Sequence, residues 1–223
     1  MQSLRGKFFV FDGTEGCGKS TQAAMLRSRL QTEGFPADDV LLVRDPGATR
    51  IGEMIRQILL DPKNDEMGMR CEMLLYMAAR AQMMHQTILP ALADGKLVLS
   101  DRFVSSTLAY QLGGDGLTAN DIRAVAGIAI KDRWPDLTLI LDMPADASMR
   151  RVKPKALSVT LFGDVPEIVD KDRIERRPME YHEQVRNNYL SQVQADPKRY
   201  RIINGDRDKQ DVHEDVWRVL LNA

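Results

Sequence analysis

The sequence predicts an α/β protein, a three-layer α/β/α sandwich on a central parallel sheet. Two observations lead there. Short apolar runs alternate along the chain with longer segments of helical periodicity, the pattern of βαβ units. The runs are continuously apolar, as in strands covered on both faces, and they end at charged residues: Asp12, Arg44, Asp101 and Asp142. Right-handed crossovers bring such strand ends to one edge of the sheet, where ligands bind.

Residues 7–12 form the first strand, ending at a glycine. Residues 20–33 form a helix that Gly34 and Pro36 stop. A second strand covers 40–43. A helix over 49–60 places Ile51, Met54, Ile55, Ile58 and Leu59 on one face. Residues 70–94 make a long helical pattern, bent or broken near Pro90. The strand at 97–100 ends at Asp101, and a helix follows over 104–112. Thr118 and Asp121 have the spacing of a capping box and open a helix to Ile130. Then come a strand at 137–141, a helix over 178–194, a strand at 201–203 and a closing helix over 211–221. The chain of 223 residues fits one domain, 1–223. Residues 153–172 read as an insert between a strand and the helix at 178, and its basic start gives way to an apolar stretch with Gly163 and Pro166.

A net charge of −1 gives no global reason to bind nucleic acid or a membrane surface. No stretch approaches the roughly 20 apolar residues of a membrane span. The N-terminus runs straight into a strand, leaving no room for a signal peptide, and Cys17 and Cys71 lack metal spacing. A cytoplasmic location is expected.

Gly13-Thr14-Glu15-Gly16-Cys17-Gly18-Lys19-Ser20 matches the P-loop pattern, with a strand before it and a helix after. Its glycines let backbone N–H groups wrap a β-phosphate, and the helix adds its positive end. Lys19 neutralises β- and γ-oxygens, and Ser20 offers a hydroxyl to Mg²⁺. Gly13, Gly16, Cys17, Gly18, Lys19, Ser20 and Thr21 are the expected ATP-binding residues, within a P-loop NTPase fold. Cys17 reads as a small filler, although a helix N-terminus can depress a thiol pKa. Asp101 stands where a Mg²⁺-associated carboxylate belongs, or else pairs with an arginine.

Further blocks narrow the reading. Arg44-Asp45-Pro46-Gly47-Ala48-Thr49 is followed by Arg56. Glu72-Met73-Leu74-Leu75-Tyr76-Met77-Ala78-Ala79-Arg80 comes next, then Asp101-Arg102-Phe103 with Ser106-Thr107-Leu108-Ala109-Tyr110-Gln111, and last Asp172-Arg173-Ile174-Glu175. With the P-loop, these five blocks resemble the thymidylate kinase family in order and spacing over nearly the whole chain. The resemblance implies transfer of the ATP γ-phosphoryl to dTMP, with Mg²⁺, in a homodimer. It implies that Glu15 meets the acceptor's 3′-hydroxyl and Mg²⁺ waters, and that Arg56 and Arg102 hold the acceptor phosphate. Tyr76 takes the place of a base-stacking phenylalanine. Arg80 would donate to a thymine carbonyl, Thr107 would read the base edge, and Tyr110 would crowd the sugar 2′-position.

The chain also departs from that pattern. Gly16 stands where some members carry a catalytic arginine inside the P-loop, so the resemblance implies an arginine from the lid. Arg150, Arg151, Lys153 and Lys155 are the candidates, with Arg151 first. The lid that the resemblance implies spans about 148–176 and carries extra residues, 156–170, in which Leu157, Val159, Leu161 and Phe162 are unusually apolar. Leu112-Gly113-Gly114-Asp115 lacks an arginine that usually follows there. The Met-rich stretch 67–84 suits either an interface or a core. Two alternatives stay open: a kinase for other nucleosides or nucleoside monophosphates, and a nucleotide-dependent switch that hydrolyses ATP without an acceptor.

Overall fold

The computed structural model describes residues 2–152, 155–157, 167–169 and 171–222. A five-stranded parallel sheet is built from β1 (Phe8–Asp12), β2 (Val40–Arg44), β3 (Leu97–Asp101), β4 (Leu137–Asp142) and the later strand β7 (Tyr200–Asn204), in the order β2-β3-β1-β4-β7. The register aligns Phe11 with Asp101, Arg44 with Asp101, Asp12 with Ile140 and Asp142 with Asn204, so the charged strand ends share one edge.

Both faces of the sheet are covered, which explains the unbroken apolar runs. Phe9 and Phe11 point into a core with Leu26 and Leu30 of α1 (Lys19–Thr32) and Val216 of the closing helix α9 (Lys209–Leu221). Phe8 and Val10 point the other way. They pack with Met73 and Met77 of α3 (Met69–Met83) and with Ile122 and Ala126 of α6 (Ala119–Ile130). A third cluster joins Tyr110 of α5 (Val104–Tyr110) to Val185 and Tyr189 of α8 (Met179–Ala195). Met73, Met77, Met83 and Met84 are all buried here, so the Met-rich stretch supplies core.

The capping box expected at Thr118 is present. Thr118 accepts from the Asp121 N–H while the Asp121 side chain accepts from the Thr118 N–H, completing the capping box of α6. Thr49 caps α2 (Arg50–Leu60) by accepting from the Gly52 N–H at 2.9 Å. The helix after α3 does not break at Pro90. A π-helical turn, Met84–Ile88, joins α3 to α4 (Leu89–Ala93) within unbroken helical backbone, and Pro90 follows directly after it.

Two features go beyond what the sequence assigned. The α2 face is only partly buried: Leu59 is enclosed, whereas Ile51 is 42% exposed. Residues 145–150, unassigned from the sequence, form α7 (Ala145–Arg150). After α7, β5 (Lys155–Leu157) and β6 (Glu167–Val169) pair antiparallel, so the described ends of the lid insert are strands. Lys153, Val159, Leu161 and Phe162 lie outside the described residues.

Candidate active site

The P-loop closes the gap between β1 and α1. Gly13 (φ 137°), Gly16 (φ 73°) and Gly18 (φ 98°) lie in the region that side chains disfavour. A side chain at Gly13 would also overlap the Leu141 carbonyl. Lys19 is buried, its Nζ donating to the Thr14 carbonyl at 2.5 Å. Cys17 packs beneath the loop in the α1-side core. Burial raises its thiol pKa despite the pull of Lys19 and Arg102, so it is the small filler and not an activated thiol. Ser20 and Thr21 open the helix on the exposed side, and the Ser20 hydroxyl donates to Asp101 Oδ2. That pairing sets a hydroxyl beside a carboxylate, the oxygen donors a hard divalent cation prefers. Among the described residues no cluster of three His, Cys, Asp or Glu could hold a metal alone. This fits a P-loop, where phosphates and water complete the coordination.

Beside the loop lies a cleft of about 580 Å³, open mouth included. Glu15, Arg56, Tyr76, Arg80, Arg102, Thr107 and Tyr110 all line it, so every residue expected to meet the acceptor reaches one cavity. Asp45, Gln111 and Asp172 line it too and carried no role in the sequence reading.

Arg102 joins cleft and loop. Its φ of 73° is a left-handed conformation seldom adopted by a residue with a side chain, and such outliers cluster at functional sites. Nη1 donates to the Gly13 carbonyl at 2.9 Å, Ser106 Oγ at 3.0 Å and the Tyr189 hydroxyl at 3.2 Å. Nη2 donates to Glu15 Oε1 at 3.0 Å and the Tyr110 hydroxyl at 3.3 Å. Asp12 organises the far side by accepting from Ser105, Ser106 and Tyr189.

The Tyr110 hydroxyl lies 2.7 Å from both Glu15 oxygens. Burial pushes the Glu15 carboxyl up, but the Arg102 and Lys19 charges and this hydrogen bond outweigh it, holding its pKa below the usual value. Arg56 is the opposite case. Burial and the neighbouring Arg44 charge press its pKa down, with Tyr76, Glu53 and Asp172 only partly offsetting them. An added phosphate would relieve that shortage of negative charge. Burial, with Glu72 and Asp172 adding, lifts the Tyr76 phenol far above its usual range, so the ring stays neutral.

Arg80 is 1% exposed and forms a buried ion pair with Asp45, Nε to Oδ2 2.6 Å. Nη1 donates to Thr107 Oγ1 at 3.2 Å and contacts Met77 Sδ at 3.0 Å, and Nη2 donates to the Phe103 carbonyl at 3.2 Å. A guanidinium has five N–H groups, so among the described residues one on Nη2 is left without a partner. Gln111 donates to Glu72 at 2.7 Å, while its Oε1 is buried without a partner among the described residues. Glu72 also receives Arg173 and Arg177, tying the C-terminal end of the lid region to α3.

Arg151 is the one expected catalytic residue whose guanidinium turns elsewhere. It donates to Asp206 Oδ1 at 2.9 Å and the Gly205 carbonyl at 3.3 Å, beside the end of β7. Arg150 pairs with Asp146 on the surface.

Comparisons with known proteins agree with this geometry. The family model described as thymidylate kinase matches residues 11–216. A thymidylate kinase of Desulforudis audaxviator is 41% identical over 221 residues, covering 98% of this chain and 93% of that protein. One of Neisseria meningitidis is 38% identical, covering 97% of each. The crystal structure of a thymidylate kinase from Ehrlichia chaffeensis superposes with a TM-score of 0.74 at 27% identity, covering 97% of this chain and 99% of that one. With the P-loop, the acceptor cleft and full-length matches in agreement, this chain belongs to the thymidylate kinase family.

Proposed function

We propose that this protein transfers the γ-phosphoryl of ATP to dTMP, giving dTDP and ADP. One observation carries the reading: the cleft lined by the acceptor residues meets the P-loop at Arg102, which donates to Gly13 of the loop while lining the cleft. A monophosphate held at Arg102 and Arg56 therefore faces the place where a P-loop presents a γ-phosphate.

The chemistry asks little of a general base. A nucleotide phosphate has a second pKa of about 6 and is largely dianionic at neutral pH, so its oxygen attacks as it is. What remains is to hold two anions in line. Lys19 neutralises the donor side, and the Arg102 and Arg56 forks grip the acceptor phosphate. Glu15 takes the sugar 3′-hydroxyl, with Tyr110 walling the 2′-side. Arg151 would reach the transferring phosphate only on leaving its Asp206 partner. Ser20 and Asp101 would hold Mg²⁺, which when bound neutralises and orients the phosphates.

The base fits the polar atoms left over in the cleft. Thymine presents a carbonyl, an N–H and a carbonyl along its edge. The spare Arg80 N–H and the Thr107 hydroxyl suit the carbonyls, and the unpartnered Gln111 Oε1 suits the N–H. Tyr76 stacks on the ring face.

The protein acts as a homodimer. Ile51 on α2, Leu74 on α3 and Ile128 on α6 are 42%, 53% and 83% exposed, and α3 packs against both other helices. A second copy would cover these apolar side chains. Leu74→Asp and Ile128→Asp should give monomers by light scattering.

The test of function is product identification with ATP, Mg²⁺ and dTMP. The reading expects dTDP and ADP in equal amounts, and no transfer to thymidine. ADP release that dTMP leaves unchanged would instead fit a hydrolytic switch.

A further inference from the structure

Buried polar atoms without partners are few, and they gather around the cleft. Among the described residues seven such side-chain atoms occur, and four belong to Asp45, Gln111 and His182. Gln111 and Asp45 line the cleft itself. His182 stands beside Glu15: it is 1% exposed, and among the described residues neither Nδ1 nor Nε2 has a hydrogen-bond partner. Tyr181 meets its ring edge-on, with centroids 5.6 Å apart. A solvent-excluded imidazole with both nitrogens idle is costly to keep, by the desolvation of groups that water would otherwise satisfy. Its Nδ1 lies 4.0 Å from Glu15 Oε2, just beyond a hydrogen bond.

The state of Glu15 explains the gap. Its Oε1 is held by Arg102 and Tyr110, while Oε2 shares only the single Tyr110 hydrogen. Arg102 shares its four Nη hydrogens among five acceptors, Gly13, Ser106, Tyr189, Glu15 and Tyr110. An acceptor phosphate in the cleft competes with Glu15 for Nη2, and where the phosphate takes it Glu15 gives up that hydrogen bond.

We propose that His182 is a positioning residue for Glu15: when Arg102 turns to the acceptor phosphate, the imidazole closes about 1 Å and donates Nδ1–H to the freed carboxylate. Glu15 is thereby kept facing the sugar 3′-hydroxyl while its former partner serves the phosphate. This rests on the function proposed above and adds the residue that makes the exchange of partners possible.

The test compares His182→Phe, which keeps an edge-on ring without hydrogen bonding, with His182→Asn, whose side-chain amide can donate from near the place of Nδ1. Acceptors are dTMP and its 3′-deoxy analogue. The proposal expects His182→Phe to lower kcat/KM for dTMP about tenfold, the scale of one hydrogen bond to a charged group. It expects less than a twofold change with the 3′-deoxy analogue and a thermal midpoint no lower than wild type, because idle buried nitrogens have been removed. His182→Asn should recover most of the dTMP activity. If His182→Phe does not fold, His182→Leu takes its place. Equal loss on both acceptors, or no loss on dTMP, overturns the inference alone. Wild-type protein that leaves dTMP unphosphorylated overturns the proposed function and this inference with it.

Discussion

Gly16 of the P-loop lies against the carbonyl oxygen of Ser148 so closely that a Cβ there would overlap it, and that Cβ would also stand 3.2 Å from Cβ of Arg151. The Ser148 hydroxyl donates to the Glu15 carbonyl and pairs with the Thr14 hydroxyl at 2.7 Å. Helix α7, the start of the lid, is thus seated directly on the phosphate loop. The missing loop arginine has a steric reason here, since α7 occupies its space.

Gly16→Ala should therefore destabilise the protein by about 2 kcal/mol, combining the positive φ with the overlap. Chemical denaturation measures it. Ser148→Ala, which removes only hydrogen bonds, should cost about 1 kcal/mol.

Arg102→Lys should not behave as a conservative change. A lysine cannot fork between Glu15, Tyr110 and a phosphate. We expect at least about a hundredfold loss in kcat/KM for dTMP, with ATP binding retained by calorimetry. Lys19→Ala should abolish turnover with any acceptor.

Gln111→Leu removes the acceptor assigned to the thymine N–H. The dTMP specificity constant should fall about tenfold, and the preference for dTMP over dCMP should shrink with it. Competition between the two monophosphates reads this directly.

Glu15 carries a pH signature. Its folded pKa lies below the usual 4.5, so the unfolded chain protonates first as the solution is acidified. The stability it contributes is complete above that usual value and is lost as pH falls toward the folded pKa. The stability difference between wild type and Glu15→Gln should be constant near neutrality and shrink below about pH 4.5.

Much of this was legible in the sequence because it is local. Phe8 to Phe11 and Leu97 to Leu99 are at most 1% exposed, so the strands appear as unbroken apolar runs. The P-loop and the Thr118 capping box depend on neighbours in the chain. Helix α7 escaped because it has six residues and buries only Ala145 and Ser148, too few for a period to show. The sequence put Ile51 and Leu59 on one face of α2 but carried no sign that Leu59 is enclosed and Ile51 exposed. His182 gave no signal, since its meaning lies in Glu15, far away in sequence and 4.0 Å away in space. Asp172 and Gln111 were visible within their blocks, but a role required seeing which face meets the cleft.

The most direct test of the central claim is the specificity constant for phosphoryl transfer from ATP across a set of monophosphates: dTMP, dUMP, dCMP and the ribose counterpart of dTMP. The account predicts dTMP as the best acceptor, with dCMP rejected at Gln111 and the ribose form hindered at Tyr110. A higher constant for dCMP or for the ribose form would contradict the assignment of the cleft, and no transfer to any of them would contradict the proposed function itself.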